Sequence, residues 1–484
     1  MTLDRRLQGS PASLGRTASA ALGWSLANTV VSRFGTLAIG IVLARVLGPE
    51  QFGTFAVAMV ALLAVLSVNE VGVSLAIVRW KGEPSAIAPT VSSISLASSA
   101  VFTLAAAVSA GPFAEAMGAP QAAGLIRLLA LCVLINGLVA TPAALMQRLF
   151  RQRQRMFVDQ VNTWLGAVVS LALALVGSGA LSLAIGRLVG TVVAAALFLR
   201  WSPEPYRLGW DRSLVGRLLQ FGLPLAGASM ITFLVGFVDQ IAVGSMLGPV
   251  ILGFYVLATN LANWPVSIFS QPLRSVAPAY FSRLQGDNET MSKGLQQVTR
   301  LIMMISLPVC AVAAVAADDL VEMVYGHAWA QAVPAFRWLV ILAAARILFE
   351  LCYDFLVIRG RSLNLLVVQA CSLMAIVPLL LIIVPTFGIR GAALTLLGVA
   401  VLLTLPMYLH LFARSGIAPT ALLRPVLTPV TAAVTAGVAA FAAMVGTAEH
   451  GVLVRLSVGV AACALVLILG MWTCRGDIRA LRRA

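Results

Sequence analysis

The side chains best able to do chemistry in this chain are polar groups set inside long apolar runs. Residues 20–45 carry Ser25, Asn28, Ser32 and Thr36 at helical spacing, with Arg33 beside them, and residues 217–246 carry Ser229, Thr232, Gly236 and Asp239 on one face. The longest stripe lies in 252–276: Asn260, Asn263, Ser267, Ser270, Gln271 and Arg274. A sparser one in 53–78 holds Ser67, Glu70 and Ser74. In 333–358, Arg346, Glu350 and Asp354 recur every four residues, on neighbouring turns of one helix face. Polar groups inside a bilayer are costly and face a partner or a wet cavity. Arg33, Asn28, Ser32, Asn260, Asn263, Ser267, Gln271 and Arg274 are therefore the candidates for lining a substrate cavity. Asp239, Glu70, Glu350 and Asp354, with Arg346, are the candidates for coupling to a cation, H+ or Na+. Each also has a structural reading: Arg33 and Asp239 as an ion pair, the 346–354 set as a self-neutralising ridge, and Arg274 and Asp354 as side chains reaching for the interface.

Enzymatic chemistry finds little support. His327, His410 and His450 stand apart from any nucleophile or metal-ligand spacing, and no GxxxxGK[ST] phosphate loop occurs. The six cysteines form no CxxC and fall mostly within apolar runs, where they read as small core residues. Asp318 and Asp319 read as a solvated turn in a short outer loop. No cofactor is expected beyond a coupling cation.

The elements that must hold these residues are membrane helices. The 484 residues are 60% hydrophobic and 11% charged, with mean hydropathy +0.97, whereas about a quarter of a soluble protein is charged. A span takes about 20 apolar residues, which predicts fourteen: 20–45, 53–78, 87–110, 121–146, 157–177, 180–199, 217–246, 252–276, 298–317, 333–358, 363–384, 390–413, 425–446 and 452–473. The fifth and sixth are parted by a short Gly-containing stretch, 177–181. Alternate connections are basic, as in Arg148, Arg151, Arg153 and Arg155, or Arg200, Arg207 and Arg212, and both termini join them. Positive charge stays cytoplasmic, so both termini are placed inside a multi-pass protein of the cytoplasmic membrane. The net charge of +15 is thus loop charge; no aromatic-rich basic domain offers a nucleic-acid surface.

Two segments 200 residues apart repeat without a gap, sharing Ile41/Ile241, Leu47/Leu247, Gly48/Gly248, Pro49/Pro249, Gly53/Gly253 and Ala58/Ala258. Each reads as a helical hairpin turning at Leu-Gly-Pro. Six spans separate the copies, so both point the same way, as in the parallel repeats of transporters. The expected fold is all-α: two parallel six-helix lobes around a central cavity, 20–200 and 217–413, with two further helices in 425–473. Residues 1–19, 201–216 and 474–484 are a cytoplasmic leader, linker and tail.

The hairpin from Leu43 to Ala58, and its downstream counterpart from Gly248 through Pro272 to Ala279, resemble the signatures of Wzx-type bacterial polysaccharide flippases. These form the polysaccharide transporter family of the multidrug/oligosaccharidyl-lipid/polysaccharide exporter superfamily. The resemblance implies a two-lobed, V-shaped, alternating-access transporter, not an enzyme, that moves undecaprenyl-pyrophosphate-linked oligosaccharide across the bacterial cytoplasmic membrane for cell-surface polysaccharide synthesis. It also implies membrane lipids, a polysaccharide polymerase and a chain-length regulator as partners. Relatives bind pyrophosphate in a cationic cavity, for which Arg33 and Arg274 are the nearest candidates here. Guanidinium groups suit pyrophosphate, and Asn, Gln and Ser suit sugar hydroxyls. Two alternatives are set against this: a multidrug/cation antiporter of the same superfamily, which the fourteen spans and Arg33 disfavour, and a membrane glycosyltransferase or polymerase, which the short connections disfavour.

Overall fold

The computed structural model describes residues 11–69, 72–80, 82–283, 288–360 and 362–476; within them, the side chains of 11–34, 36–37, 268–283, 288 and 362 lie outside the description. The described residues contain helices and no strand. In chain order the helices are α1 (Pro11–Val68), α2 (Ser74–Arg79), α3 (Ala88–Ala116), α4 (Ala122–Arg148), α5 (Gln152–Leu175), α6 (Ala180–Arg200), α7 (Arg212–Leu247) and α8 (Pro249–Arg283). They continue as α9 (Asn288–Val315), α10 (Ala317–Tyr325), α11 (Val333–Ile358), α12 (Ser362–Val399), α13 (Leu405–Arg414), α14 (Thr420–Gly446) and α15 (Val452–Thr473).

The repeat is built on one turn used twice. Gly48 breaks α1 at φ 71°, ψ 174°, and Gly248 separates α7 from α8 at φ 83°. A side chain at such angles is strained, and the proline that follows starts the next helix with its φ already set. Burial repeats as well: positions 43 and 243, 44 and 244, 53 and 253, and 58 and 258 are all buried.

Eleven segments among the described residues are long and apolar enough to cross a membrane. Three further expected spans complete the fourteen. The first lies in α1 before Ala38, where the side chains are outside the description. The second is α11, which is set apart from those eleven by its four charges, Arg337, Arg346, Glu350 and Asp354. The third arises because Leu363–Arg414 is 52 residues long, about 78 Å as one helix and over twice the hydrocarbon thickness. It turns at Gly388 (φ 59°). Near its end, residues Ala400–Thr404 adopt π-helical bonding, with Leu405 N–H donating to the Ala400 carbonyl. Pro406, which has no N–H to give Leu402, follows directly.

Two expectations are corrected. The second span does not run unbroken to residue 78: α1 ends at Val68, Asn69 donates its amide to the Val133 carbonyl of α4 (3.2 Å), and α2 restarts at Ser74. The acidic outer loop is not a solvated turn but the helix α10. Its Asp318 pairs with Arg337 of α11 (2.6 Å), and buried Asp319 pairs with Arg455 of α15.

The chain forms two compact units, 1–233 and 234–484, dividing inside α7. In the first unit α4 packs against α1, α3 and α6; in the second, α11 packs in the matching manner against α8, α9 and α12. The first unit is pinned at one end by Arg148, which donates to the carbonyls of Ile77, Trp80 and Gly82 (2.6–2.9 Å). In the second, Phe355 and Phe412 stack at 5.1 Å inside a core of Leu295, Leu351, Leu356 and Leu422. The last two helices belong to this unit, with α14 and α15 lying on α9.

Candidate functional site

The second hairpin carries a buried polar pair. Asp239 on α7 is 3% exposed and Tyr255 on α8 is fully buried. The Tyr255 hydroxyl donates to Asp239 Oδ2 at 2.7 Å, and the Gln240 backbone N–H donates to Oδ1 at 2.9 Å. Asp239 lies nine residues before Gly248 and Tyr255 seven after it, and folding the chain back at Gly248-Pro249 brings these two positions of the hairpin's arms together. Half-buried Arg346 of α11 donates to Asn263 Oδ1 of α8 at 3.4 Å, and its positive charge acts on both Asp239 and Tyr255. Asp239, Tyr255, Asn263 and Arg346 thus form one polar group drawn from three helices of the second unit.

The first hairpin shows what this position looks like without the chemistry. Two hundred residues earlier, Asp239 and Tyr255 become Ile39 and Phe55, and these pack together with Leu47, Phe52 and Leu171 around Leu43 and Leu183. Tyrosine and phenylalanine have nearly one shape, so the fold accepts either pair. An ion taken out of water costs several kcal/mol before its partners compensate, and well-packed apolar residues of similar volume are often as stable or more so, by about 1–4 kcal/mol. Packing alone does not account for Asp239.

The structure sorts the remaining sequence candidates. On α8, Asn260 is exposed and Asn263 and Ser267 are half-buried, along the stripe the sequence marks. On α7, Thr232 and Gly236 are exposed while Asp239 turns inward. Glu350 and Asp354 are half-buried on α11, and Arg346 reaches across to α8. The side chains of Asn28, Ser32, Arg33, Gln271 and Arg274 and the whole of Glu70 lie outside the described residues. Asp239 as a partner of Arg33 is therefore not described; its carboxylate accepts from the Tyr255 hydroxyl and the Gln240 backbone N–H. Sequence reasoning missed Tyr255 because a tyrosine in an apolar run reads as core.

The pattern of the family described as "Polysaccharide biosynthesis protein" matches residues 42–334. The chain belongs to this family. It is similar to the succinoglycan biosynthesis transport protein ExoT of Rhizobium meliloti (strain 1021), 26% identical over 345 residues, covering 70% of this chain and 68% of the relative. It is also similar to the lipopolysaccharide biosynthesis protein WzxC of Escherichia coli (strain K12), 23% identical, covering 68% of each. Among solved structures, the lipid II flippase MurJ in an inward closed conformation shares the fold with TM-score 0.76 at 12% identity, covering 94% of this chain and 99% of MurJ. An inward-facing multidrug resistance MATE transporter of the MOP superfamily follows with TM-score 0.61 at 18% identity, covering 80% and 96%. The fold is that of the multidrug/oligosaccharidyl-lipid/polysaccharide exporters, a superfamily of membrane transporters.

Proposed function

We propose that this chain moves undecaprenyl-pyrophosphate-linked oligosaccharide units across the cytoplasmic membrane by alternating access, with both termini on the cytoplasmic side. The observation that carries the reading is its membership of a polysaccharide biosynthesis family on a fold matched along nearly its whole length by a lipid flippase. The amides and hydroxyls of Asn260, Asn263 and Ser267 suit sugar hydroxyls, and Arg33 and Arg274 are the cations offered to the pyrophosphate. The chain holds no nucleotide-binding loop, so direction comes from an ion gradient or from consumption of the product by a polymerase and its chain-length regulator. One elementary charge crossing the membrane is worth about 2.3 kcal/mol per 100 mV.

Asp239 is the coupling acid in this proposal. On taking up H+ or Na+ its carboxylate charge is neutralised, which weakens its hold on the Tyr255 hydroxyl and so the tie between α7 and α8 close to their turn. Arg346 and Asn263 hold the third side of the group. Reconstitution in liposomes tests the proposal: flipping of a labelled undecaprenyl-pyrophosphate oligosaccharide should accelerate when a proton or sodium gradient is imposed. Export of cationic dyes with no flipping under either gradient would instead favour the multidrug reading.

A further inference from the structure

One cation inside the first unit stands apart from the groups assigned so far. Arg187 lies seven residues into α6, about 10 Å along the helix from the turn that joins it to α5. The positions three, four and seven residues to either side share its face: Ala180, Leu183, Ala184, Gly190, Thr191 and Ala194. All six are buried, whereas the open side of α6 lies round the helix at Leu181 (43% exposed) and Val192 (48%). Arg187 therefore leaves α6 through its packed side, towards α4, where its charge acts on the buried Cys132 thiol. It is nevertheless exposed. The long side chain runs out between packed helices into open space on the side away from lipid.

No acid neutralises it there. Thr191 donates its hydroxyl to the Arg187 backbone carbonyl (2.8 Å), but the guanidinium has no hydrogen-bond or ion-pair partner among the described residues. The helices packed on α6 are α5, α4 and α1. Of these α4 carries no carboxylate, α1 only Glu50 and α5 only Asp159. Glu50 is at the α5–α6 turn, next to Gln51, whose side chain accepts from the Ala180 N–H (3.0 Å). Gly166 of α5 is level with Gly186, whose carbonyl oxygen a Cβ at 166 would meet at 3.0 Å. Asp159 is seven residues from Gly166, about 10 Å along α5 and out of reach of Arg187.

A cation set among membrane helices without a counter-charge is costly, and such residues mark the path of a substrate or ion. The missing counter-charge is one that arrives and leaves. We propose that Arg187 is an anion-binding residue on the route of the transported molecule, a role that rests on the transport reading. It meets oxygens of the pyrophosphate or of an acidic sugar. A guanidinium offers two N–H donors in a fork that matches the two oxygens of a phosphate or carboxylate, whereas an ammonium supplies only the charge.

The parent, Arg187→Gln and Arg187→Lys, each as the full chain, test this role. Each is titrated in neutral detergent with undecaprenyl-pyrophosphate bearing either a neutral oligosaccharide or one with a carboxylate, and binding is read by native mass spectrometry. Flipping of both molecules is then followed in liposomes. Loss of a charge-assisted hydrogen bond should weaken binding to Arg187→Gln about tenfold or more, with Arg187→Lys in between and no fall in melting temperature. Weaker binding of both molecules puts the pyrophosphate on Arg187; weaker binding of the acidic one alone puts the sugar carboxylate there. Equal affinities in Arg187→Gln and the parent for both molecules would overturn the proposal. So would equal losses in the Gln and Lys variants with a lower melting temperature, which would make Arg187 a packing residue. A parent that binds both molecules and flips neither would contradict the transport reading, while the affinities still decide the role of Arg187. One that binds neither would overturn both.

Discussion

Tyr255→Phe removes a single oxygen and leaves the Asp239 carboxylate buried without its strongest side-chain donor. A buried acceptor deprived of its partner costs about 1–3 kcal/mol, so the variant should melt below the parent in detergent by that amount. If the hydroxyl merely filled space, the two would melt together. Asp319 gives a second residue-scale test, outside the membrane spans. Burial pushes its carboxyl above the ordinary carboxylate range, and Arg455 pulls it back. Arg455→Gln removes the opposing charge, so the carboxylate becomes costlier to keep ionised in the fold. An acid whose folded pKa is raised contributes stability below its unfolded value and loses it as pH rises. The deficit of Arg455→Gln against the parent should therefore be largest near neutral pH and shrink as pH falls towards about 4, in thermal unfolding followed across that window. A deficit independent of pH would show that Arg455 acts through packing alone.

At the scale of elements, the two Gly-Pro turns set the register of the hairpins and hence which side chains meet. Gly48 lies where a side chain is strained, although a Cβ there would meet no atom within 4 Å. Gly48→Ala should therefore cost about 1–3 kcal/mol through backbone strain alone, measurable as a lower unfolding midpoint; an unchanged midpoint would mean that the turn relaxes freely. The duplicated turn was legible in the sequence because glycine and proline at fixed spacing have few other meanings, and the helices followed from apolar length. α11 was legible despite its charges because they recur on one face. Two elements were hidden. Asp318 and Asp319 read as a wet turn, since nothing local reveals that Arg337 and Arg455 lie within reach from helices 19 and 136 residues away along the chain. The break at Asn69 was hidden for a similar reason, its partner being a carbonyl on α4.

At the scale of the molecule, one hairpin occurs twice with different residues at matching positions. The first copy keeps Ile39 and Phe55 in an apolar cluster; the second has an acid and a phenol at those positions, with Arg346 and Asn263 nearby. A fold that tolerates the apolar pair in one unit should tolerate it in the other. The double variant Asp239→Ile with Tyr255→Phe, which writes the first hairpin's residues into the second, separates function from stability. Its melting temperature and its gradient-driven flipping of labelled undecaprenyl-pyrophosphate oligosaccharide in liposomes form one paired measurement. The account predicts a midpoint equal to or above the parent's, with gradient-driven flipping reduced at least tenfold. A double variant that is equally stable and flips at the parent's rate under the same gradient would contradict it.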